Sequence, residues 1–293
     1  MTSSPQPTTE AKPTHAVFPL VLSASRATDL PACRVPWLLD ALRRGGCLWR
    51  NPFNGTETRV SFSRARVIVF WSKNPAPLLP HLHTLEETGL APFFQFTVND
   101  YASEHFEPGL PRLDVRIETF ARLAERYGRE RVVWRFDPLL ISRTTPVPEL
   151  LRRVVAIGER LHPYAAELVF SFADVANYPR VARRCAAVDA DIREFTPDEM
   201  TAFAEGLAPH LSRWHLKAAT CCEAVDVSPF GIRHGACIDA QTFLRLGLLT
   251  LEEAASVAKK DKGQRRSCGC TLSKDIGAYG TCSLGCVYCY ARP

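Results

Sequence analysis

Six short runs of apolar, β-branched and aromatic residues punctuate the chain, at 16–25, 66–71, 92–98, 131–136, 167–173 and 214–220. Each is nearly continuous rather than alternating, the pattern of parallel strands covered on both faces. Segments with helical spacing lie between and after them, at 36–44, 75–87, 112–127, 146–161, 197–211, 239–246 and 250–259. Local signals support several of these helices. Pro36 sits at a first-turn position, Asn74 precedes 75–87 as an N-cap, and Gly128 closes 112–127. Residues 47–63, with Asn54-Gly55 at their centre, read as a hairpin.

Six strands alternating with helices make right-handed βαβ units. The predicted fold is α/β, as a partial (β/α)6 TIM-like barrel of parallel strands or as a single parallel sheet. The expected division is a disordered lead-in over 1–15, a barrel domain over 16–259 and a Cys-rich tail over 260–293 packing on the barrel mouth. Residues 1–15 are rich in Pro, Thr and Ser and lack a basic stretch followed by an apolar one, so they do not read as a signal peptide. No apolar stretch is long enough to cross a membrane. A cytoplasmic chain with no membrane partner is expected.

In such folds chemistry gathers at the C-terminal ends of the strands, and here those ends are polar. They read Ser23-Ala24-Ser25-Arg26-Ala27-Thr28-Asp29, Trp71-Ser72-Lys73-Asn74, Thr97-Val98-Asn99-Asp100, Trp134-Arg135-Phe136-Asp137, Ser171-Phe172-Ala173-Asp174 and Thr220-Cys221-Cys222-Glu223. Helix capping explains Asn74, Asp137 or Asp174 singly. It explains Arg26, Lys73 and Arg135 poorly, because a cation at a helix N-terminus opposes the dipole. Three cations at three strand ends point to one anionic occupant, a carboxylate or phosphate. Arg26, Lys73, Arg135 and Asp137 are the candidate catalytic residues, and Ser171, Arg26 and Lys73 candidates for binding a cofactor.

The formal net charge is +5, and all of that excess lies after residue 258, where seven Lys and Arg face only Asp261 and Asp275. The same segment holds five of the 11 cysteines, from Cys268 to Cys289. In a reducing compartment such clustering indicates metal rather than disulfides. The densest pattern is Cys282-x3-Cys286-x2-Cys289 with Tyr288 before the last cysteine. Three thiolates on a short loop suit a [4Fe–4S] cluster with one open iron, whereas structural zinc prefers four closed ligands, usually in paired C-x2-C units. Zinc completed by a distant cysteine is the alternative. Cys221, Cys237, Cys268 and Cys270 form a second candidate set, for an auxiliary cluster or a Zn(Cys)4 site, with Glu223 or His234 as substitute ligands. Arg265, Arg266 and Lys262 would offset its negative charge. Cys33, Cys47, Cys185 and Cys222 carry no assigned function, as free cysteines are usually small buried hydrophobes. Tyr279 and Tyr290 read as packing aromatics.

The triad with its aromatic neighbour resembles the cluster motif of the radical S-adenosylmethionine superfamily. That resemblance implies a [4Fe–4S] cluster on Cys282, Cys286 and Cys289, S-adenosylmethionine on the open iron, Tyr288 near its adenine, and a 5′-deoxyadenosyl radical as the hydrogen-abstracting species. A one-electron reductant such as flavodoxin or ferredoxin would be needed. The superfamily's motif usually follows the first strand, whereas here it lies at the far end of the chain. A Gly-Gly-Glu stretch after the second strand is also missing, as it is from spore photoproduct lyase. From about Leu22 the chain resembles a narrower bacterial family, domain of unknown function 1848, through Ser23–Asp29, Arg50-Asn51-Pro52-Phe53-Asn54, Phe70–Pro75, Trp134–Pro138 and the cysteine tail. That family carries such a cluster motif at its C-terminus. The substrate is left open between a small molecule and nucleic acid; the basic tail favours nucleic acid, and the neutrality of the first 258 residues opposes it. A non-catalytic zinc- or iron–sulfur-binding module is the competing reading.

Overall fold

The computed structural model describes residues 15–188 and 190–292. Of the expected lead-in, only His15 lies inside that range. The chain is built on an eight-stranded, all-parallel sheet. Its strands, from one edge to the other, are β11 (Lys274–Asp275), β2 (Val21–Ala24), β5 (Val67–Ser72), β6 (Ala91–Thr97), β7 (Val132–Leu139), β8 (Glu167–Phe172), β9 (Lys217–Thr220) and β10 (Ile232–His234). From β2 to β10 the spatial order follows the chain, so each crossover moves one place along the sheet. β11, the last strand, returns to pair with β2 at the opposite edge from β10.

A smaller three-stranded sheet joins β1 (Ala16–Val17), β4 (Glu57–Ser61) and β3 (Gly46–Arg50). The β3–β4 pair is the expected hairpin, in register from Gly46 opposite Ser61 to Arg50 opposite Glu57. The first predicted strand, 16–25, is two strands in different sheets. Pro19 lies in the gap, where it has no N–H to give a ladder.

The helices follow their local signals. α1 (Leu30–Cys33), α2 (Val35–Arg43), α3 (Leu82–Glu87), α4 (Leu113–Tyr127), α5 (Val147–Leu161), α6 (Pro179–Ala186), α7 (Pro197–Trp214), α8 (Ala240–Arg245) and α9 (Leu251–Val257) connect or cover the strands. Capping boxes start α7 (Thr196 with Glu199) and α9 (Thr250 with Glu253). The predicted helix at 75–87 divides into a 3-10 turn, Ala76–His81, and α3, because Pro80 interrupts the α-helical bonding. Asn74 makes no cap there. β10, β11, α1 and α6 were not anticipated.

Period-two alternation splits the sheet into two faces. Leu22, Ile68, Phe70, Phe94, Phe96, Trp134, Phe136 and Phe170 pack against the larger set of helices. On the other face, Val21, Val67, Val69, Phe93, Val133, Val169 and Ala219 meet Ile238, Phe243 of α8 and Ala254 and Val257 of α9. Ion pairs at the N-terminal ends of the strands, Arg66–Glu253 at 2.8 Å and Arg245–Glu130, hold α8 and α9 there. That second face is therefore apolar and covered toward its N-terminal end. Further along the same strands it carries Ser23, Trp71, Gln95, Arg135, Asp137 and Ser171. Among the described residues, no helix is long and apolar enough to cross a membrane.

The α5–α7 contact tests this packing. A Cβ on Gly158 would collide with the Trp214 ring, so Gly158→Ala should destabilise the fold by about 1–3 kcal/mol despite its better helix propensity. Urea unfolding measures this, and an unchanged or raised midpoint would contradict it.

Candidate functional site

The polar end of the second face holds one group of cysteines, and a network of charges runs from it to a second group at the same end of the sheet. β7 aims Arg135 inward, where it is 2% exposed. Its Nη1 donates to Gln95 Oε1 at 3.0 Å and to Cys237 Sγ at 2.9 Å, and its Nε donates to Asp137 Oδ2 at 3.1 Å. Asp137 also accepts from the Ser171 hydroxyl. Burial alone would raise the Asp137 carboxyl, but the Arg135 charge and the Ser171 hydroxyl outweigh it and hold it below the usual carboxylate range. The Trp71 ring lies between Arg135 and Arg26, whose guanidinium carbons are 5.3 and 5.0 Å from its centroid.

Cys221, Cys237, Cys268 and Cys270 converge here from three stretches of chain. Cys221 follows β9, with its N–H donating to Phe170 O at 2.8 Å. Cys237 lies beyond β10, its carbonyl accepting from Gln95 Nε2 at 2.7 Å. Cys268 and Cys270 precede β11. The Cys221 and Cys237 sulfurs are 3.3 Å apart, and Cys270 exchanges hydrogen bonds with both Cys237 and Cys268. Hydrogen bonding with Cys237 and Cys268 drives the Cys270 thiol down, with the Arg26 charge helping. The hydrogen bond with Cys237 lowers Cys221 to about 7. Glu223 accepts from Phe172 N at 2.9 Å, and burial pushes its carboxyl up to about 7. His234 is engaged with Ser267 O at 2.7 Å. Of the tail cations, Arg265 reaches Asp174 at 3.4 Å.

The second group is the loop 282–289. Two backbone bonds seat it on the segment after β6: Gly109 N to Leu284 O at 3.0 Å and Val287 N to Phe106 O at 2.9 Å. The approach is so close that a Cβ on Gly109 would lie 2.6 Å from Leu284 O. Tyr288 turns inward. Its hydroxyl donates to Glu107 and its ring lies 5.5 Å from Lys73 Nζ, so much of its surface is already engaged. Lys73 pairs with Glu107 at 2.9 Å and reaches Asp137 O at 3.3 Å. Asn99 and Arg116 complete this buried set. Burial would raise Glu107, but the Lys73 charge and the Tyr288 hydroxyl prevail and hold it low. Burial raises Cys286 to about 12.

Arg26, Lys73, Arg135, Asp137, Ser171 and Tyr288 thus share one end of the sheet with both cysteine groups. Two of the three cations predicted to await an anion have internal carboxylate partners, Lys73 with Glu107 and Arg135 with Asp137. Arg26 differs. Its Nη1 has only long bonds to Ser23 and Ser273, and its buried Nη2 lacks a hydrogen-bond partner. Sequence reasoning missed Glu107, Asp275 and Cys33. The Cys33 sulfur lies 4.0 Å from Cys282 and 3.3 Å from Ser283 Oγ, and donation from Cys282 lowers it to about 5. Its position four residues after the polar end of β2 was the available signal. Cys47 and Cys185 are buried, as expected of structural thiols. Tyr290 stacks on Tyr178 at 5.8 Å and also donates to Arg26 O at 2.6 Å. Among the described residues, no three His, Cys, Asp or Glu side chains are disposed around a single-ion site.

Residues 21–291 match the family model described as "Domain of unknown function (DUF1848)". The chain belongs to this family. No curated protein matches it significantly. Among solved structures, a protein of Bacteroides thetaiotaomicron VPI-5482 named as an alpha-L-fucosidase aligns over 72% of this chain and 76% of its own, at 12% identity and a TM-score of 0.27. A likeness that small bears on neither fold nor function.

The Lys73–Glu107 pair generates a pH prediction. A carboxyl held low in the folded state contributes stability above its unfolded pKa and loses it as pH falls through the folded one. Glu107→Gln should cost about 3 kcal/mol or more at neutral pH, because Lys73 loses its counter-charge. It should also make the loss of stability below about pH 5 shallower than in the native protein. Denaturation midpoints across pH 3–7 check both; an unchanged acid limb would contradict the assignment.

Proposed function

We propose that this DUF1848 protein is a cytoplasmic radical S-adenosylmethionine-type enzyme, its sheet acting as a partial barrel with the cysteine tail over the mouth. Cys282, Cys286 and Cys289 would hold a [4Fe–4S] cluster. The donor chemistry suits it: three thiols on one short loop, beside a polar, partly buried surface. When bound and reduced by a donor such as flavodoxin or ferredoxin, the cluster would supply the one electron needed to cleave S-adenosylmethionine to methionine and a 5′-deoxyadenosyl radical.

The observation that carries the reading is the seating of that loop at the C-terminal ends of the strands, where Glu107 joins Tyr288 to Lys73. The chain's own residues would then divide the work. Tyr288 and Glu107 fix the loop. Lys73 and Arg26 supply positive charge for the carboxylate of the methionyl group. Arg135, Asp137 and Ser171 form a rigid polar wall toward a substrate, either a small molecule or an extruded part of a nucleic acid. A purely structural metal module gives no reason to bury Arg135 and Asp137, since desolvating charges is costly.

The test is formation of 5′-deoxyadenosine by the anaerobically reconstituted chain with dithionite and S-adenosylmethionine. The native protein should form it. Cys286→Ala and Cys289→Ser should fall to background while keeping the native circular dichroism and unfolding midpoint. Iron incorporation without any cleavage, or activity that survives both substitutions, would overturn the proposal.

A further inference from the structure

Beside the cysteine loop lies an exposed patch of aromatic rings and arginines that the proposed chemistry leaves unused. Tyr279 and Tyr290 are each 48% exposed. Tyr290 stacks on Tyr178 with centroids 5.8 Å apart, and Tyr279 meets Tyr290 edge-on at 6.5 Å. Tyr178 immediately precedes α6, whose eight residues include Arg180, Arg183 and Arg184 and no acidic one. Arg180, Arg183 and the tail's Arg292 are exposed, and among the described residues Arg180 and Arg183 have no ion-pair partner. We infer that this patch is the docking surface for an acidic one-electron carrier protein, with the tyrosines at its centre and Arg180, Arg183 and Arg292 at its rim, a role that rests on the cluster reading above.

Position, composition and charge agree on this. Tyr290 directly follows Cys289 in the chain. Arg184 of α6 donates through Nε to Val287 O at 3.1 Å and through Nη2 to Cys289 O. A protein seated on α6 therefore lies against the backbone of the loop that would hold the cluster. An aromatic centre with an arginine rim is the usual make-up of the energetically dominant part of a protein–protein interface. The three α6 cations stand out from a chain that is neutral over its first 258 residues. Asp174, just before Tyr178, is already matched by Arg265 at 3.4 Å. Such a field steers an acidic partner toward the loop.

Tyrosines and arginines also bind single-stranded nucleic acid, but there the bases stack on open ring faces. Here the Tyr290 ring lies against Tyr178 with the two planes 30° apart, and its hydroxyl donates to Arg26 O at 2.6 Å. One face and the polar tip of Tyr290 are thus taken within the protein. What remains is ring edge and apolar area, which a protein surface can cover and a base cannot stack on. A small patch also suits a carrier that must leave after each electron, since electron-transfer complexes sit at the low end of interface size.

The experiment drives 5′-deoxyadenosine formation by the anaerobically reconstituted whole chain with either reduced flavodoxin, as the acidic carrier, or dithionite. Binding of flavodoxin, and of a single-stranded oligonucleotide as the second probe, is followed by calorimetry. The native chain should bind flavodoxin at low salt and lose affinity as salt rises. Arg180→Glu/Arg183→Glu and Tyr279→Ala should each cut the flavodoxin-driven rate about tenfold or more at subsaturating carrier, while the dithionite-driven rate stays native. Arg180→Lys/Arg183→Lys, which keeps the charge, should retain most of the flavodoxin-driven rate. No flavodoxin binding at low salt, equal flavodoxin-driven rates in native and charge-reversed protein, or an oligonucleotide that binds through these residues in place of flavodoxin would overturn the assignment. No product with either donor would overturn the cluster reading instead, and flavodoxin binding that is lost in Arg180→Glu/Arg183→Glu would still assign the surface.

Discussion

Asp275 holds the two ends of this molecule together. It sits opposite Ser23 in the β11–β2 pairing, and its carboxylate accepts from Ser23 Oγ at 2.9 Å, Ser25 Oγ at 2.6 Å and Arg26 N at 2.8 Å, with Gly277 N at 2.9 Å on its own side. Hydrogen bonds to a charged group contribute roughly 1.5–3 kcal/mol each. Closing a loop of this length costs little more than closing a shorter one, because the entropy grows only with the logarithm of length. One anchored carboxylate therefore offsets much of the cost of returning the tail to the first strand. Cys268 and Cys270 lie just before that anchor and Cys282–Cys289 just after it, so the same residue places both cysteine groups.

Around that anchor Lys73 and Arg135 stand in internal charge pairs, while Arg26 keeps an unpartnered guanidinium nitrogen. Arg135 divides its donors among Asp137, Gln95 and Cys237, and Lys73 among Glu107 and the Asp137 carbonyl. Lys73 and Arg135 each have a carboxylate beside them, which is the condition for keeping such charges buried. The arrangement is pre-organised: the cations are fixed by partners that belong to the protein, and a ligand meets them already oriented. Arg26 couples the two cysteine groups, with its guanidinium beside Cys270 and its carbonyl bound by Tyr290.

The sequence made the repeating part of this fold visible. Every predicted strand from 66–71 to 214–220 overlaps an observed one, because buried parallel strands leave continuous apolar runs. β10 and β11, of three and two residues, are too short to leave any periodicity, and they are the sheet's two edges. The single strand expected at 16–25 failed at Pro19, a local signal that the apolar pattern masked. At this end of the sheet, strand-end polarity pointed to Arg26, Lys73, Arg135, Asp137 and Ser171, and spacing pointed to the Cys282–Cys289 triad, while Cys221, Cys237, Cys268 and Cys270 were grouped without a spacing motif. Glu107 and Cys33 were not legible. Glu107 lies on a loop without pattern, and Cys33 acquires meaning only when Cys282 folds back from nearly the far end of the chain.

The central claim is that the triad leaves one iron open to S-adenosylmethionine. The most direct measurement is the EPR spectrum of the anaerobically reconstituted, dithionite-reduced protein, recorded with and without S-adenosylmethionine. The account predicts a [4Fe–4S]+ signal whose g-values shift on addition of S-adenosylmethionine and stay unchanged on addition of buffer alone. A spectrum indifferent to S-adenosylmethionine would mean that the fourth iron is closed, with Cys33 the nearest thiol to close it, and would contradict the account.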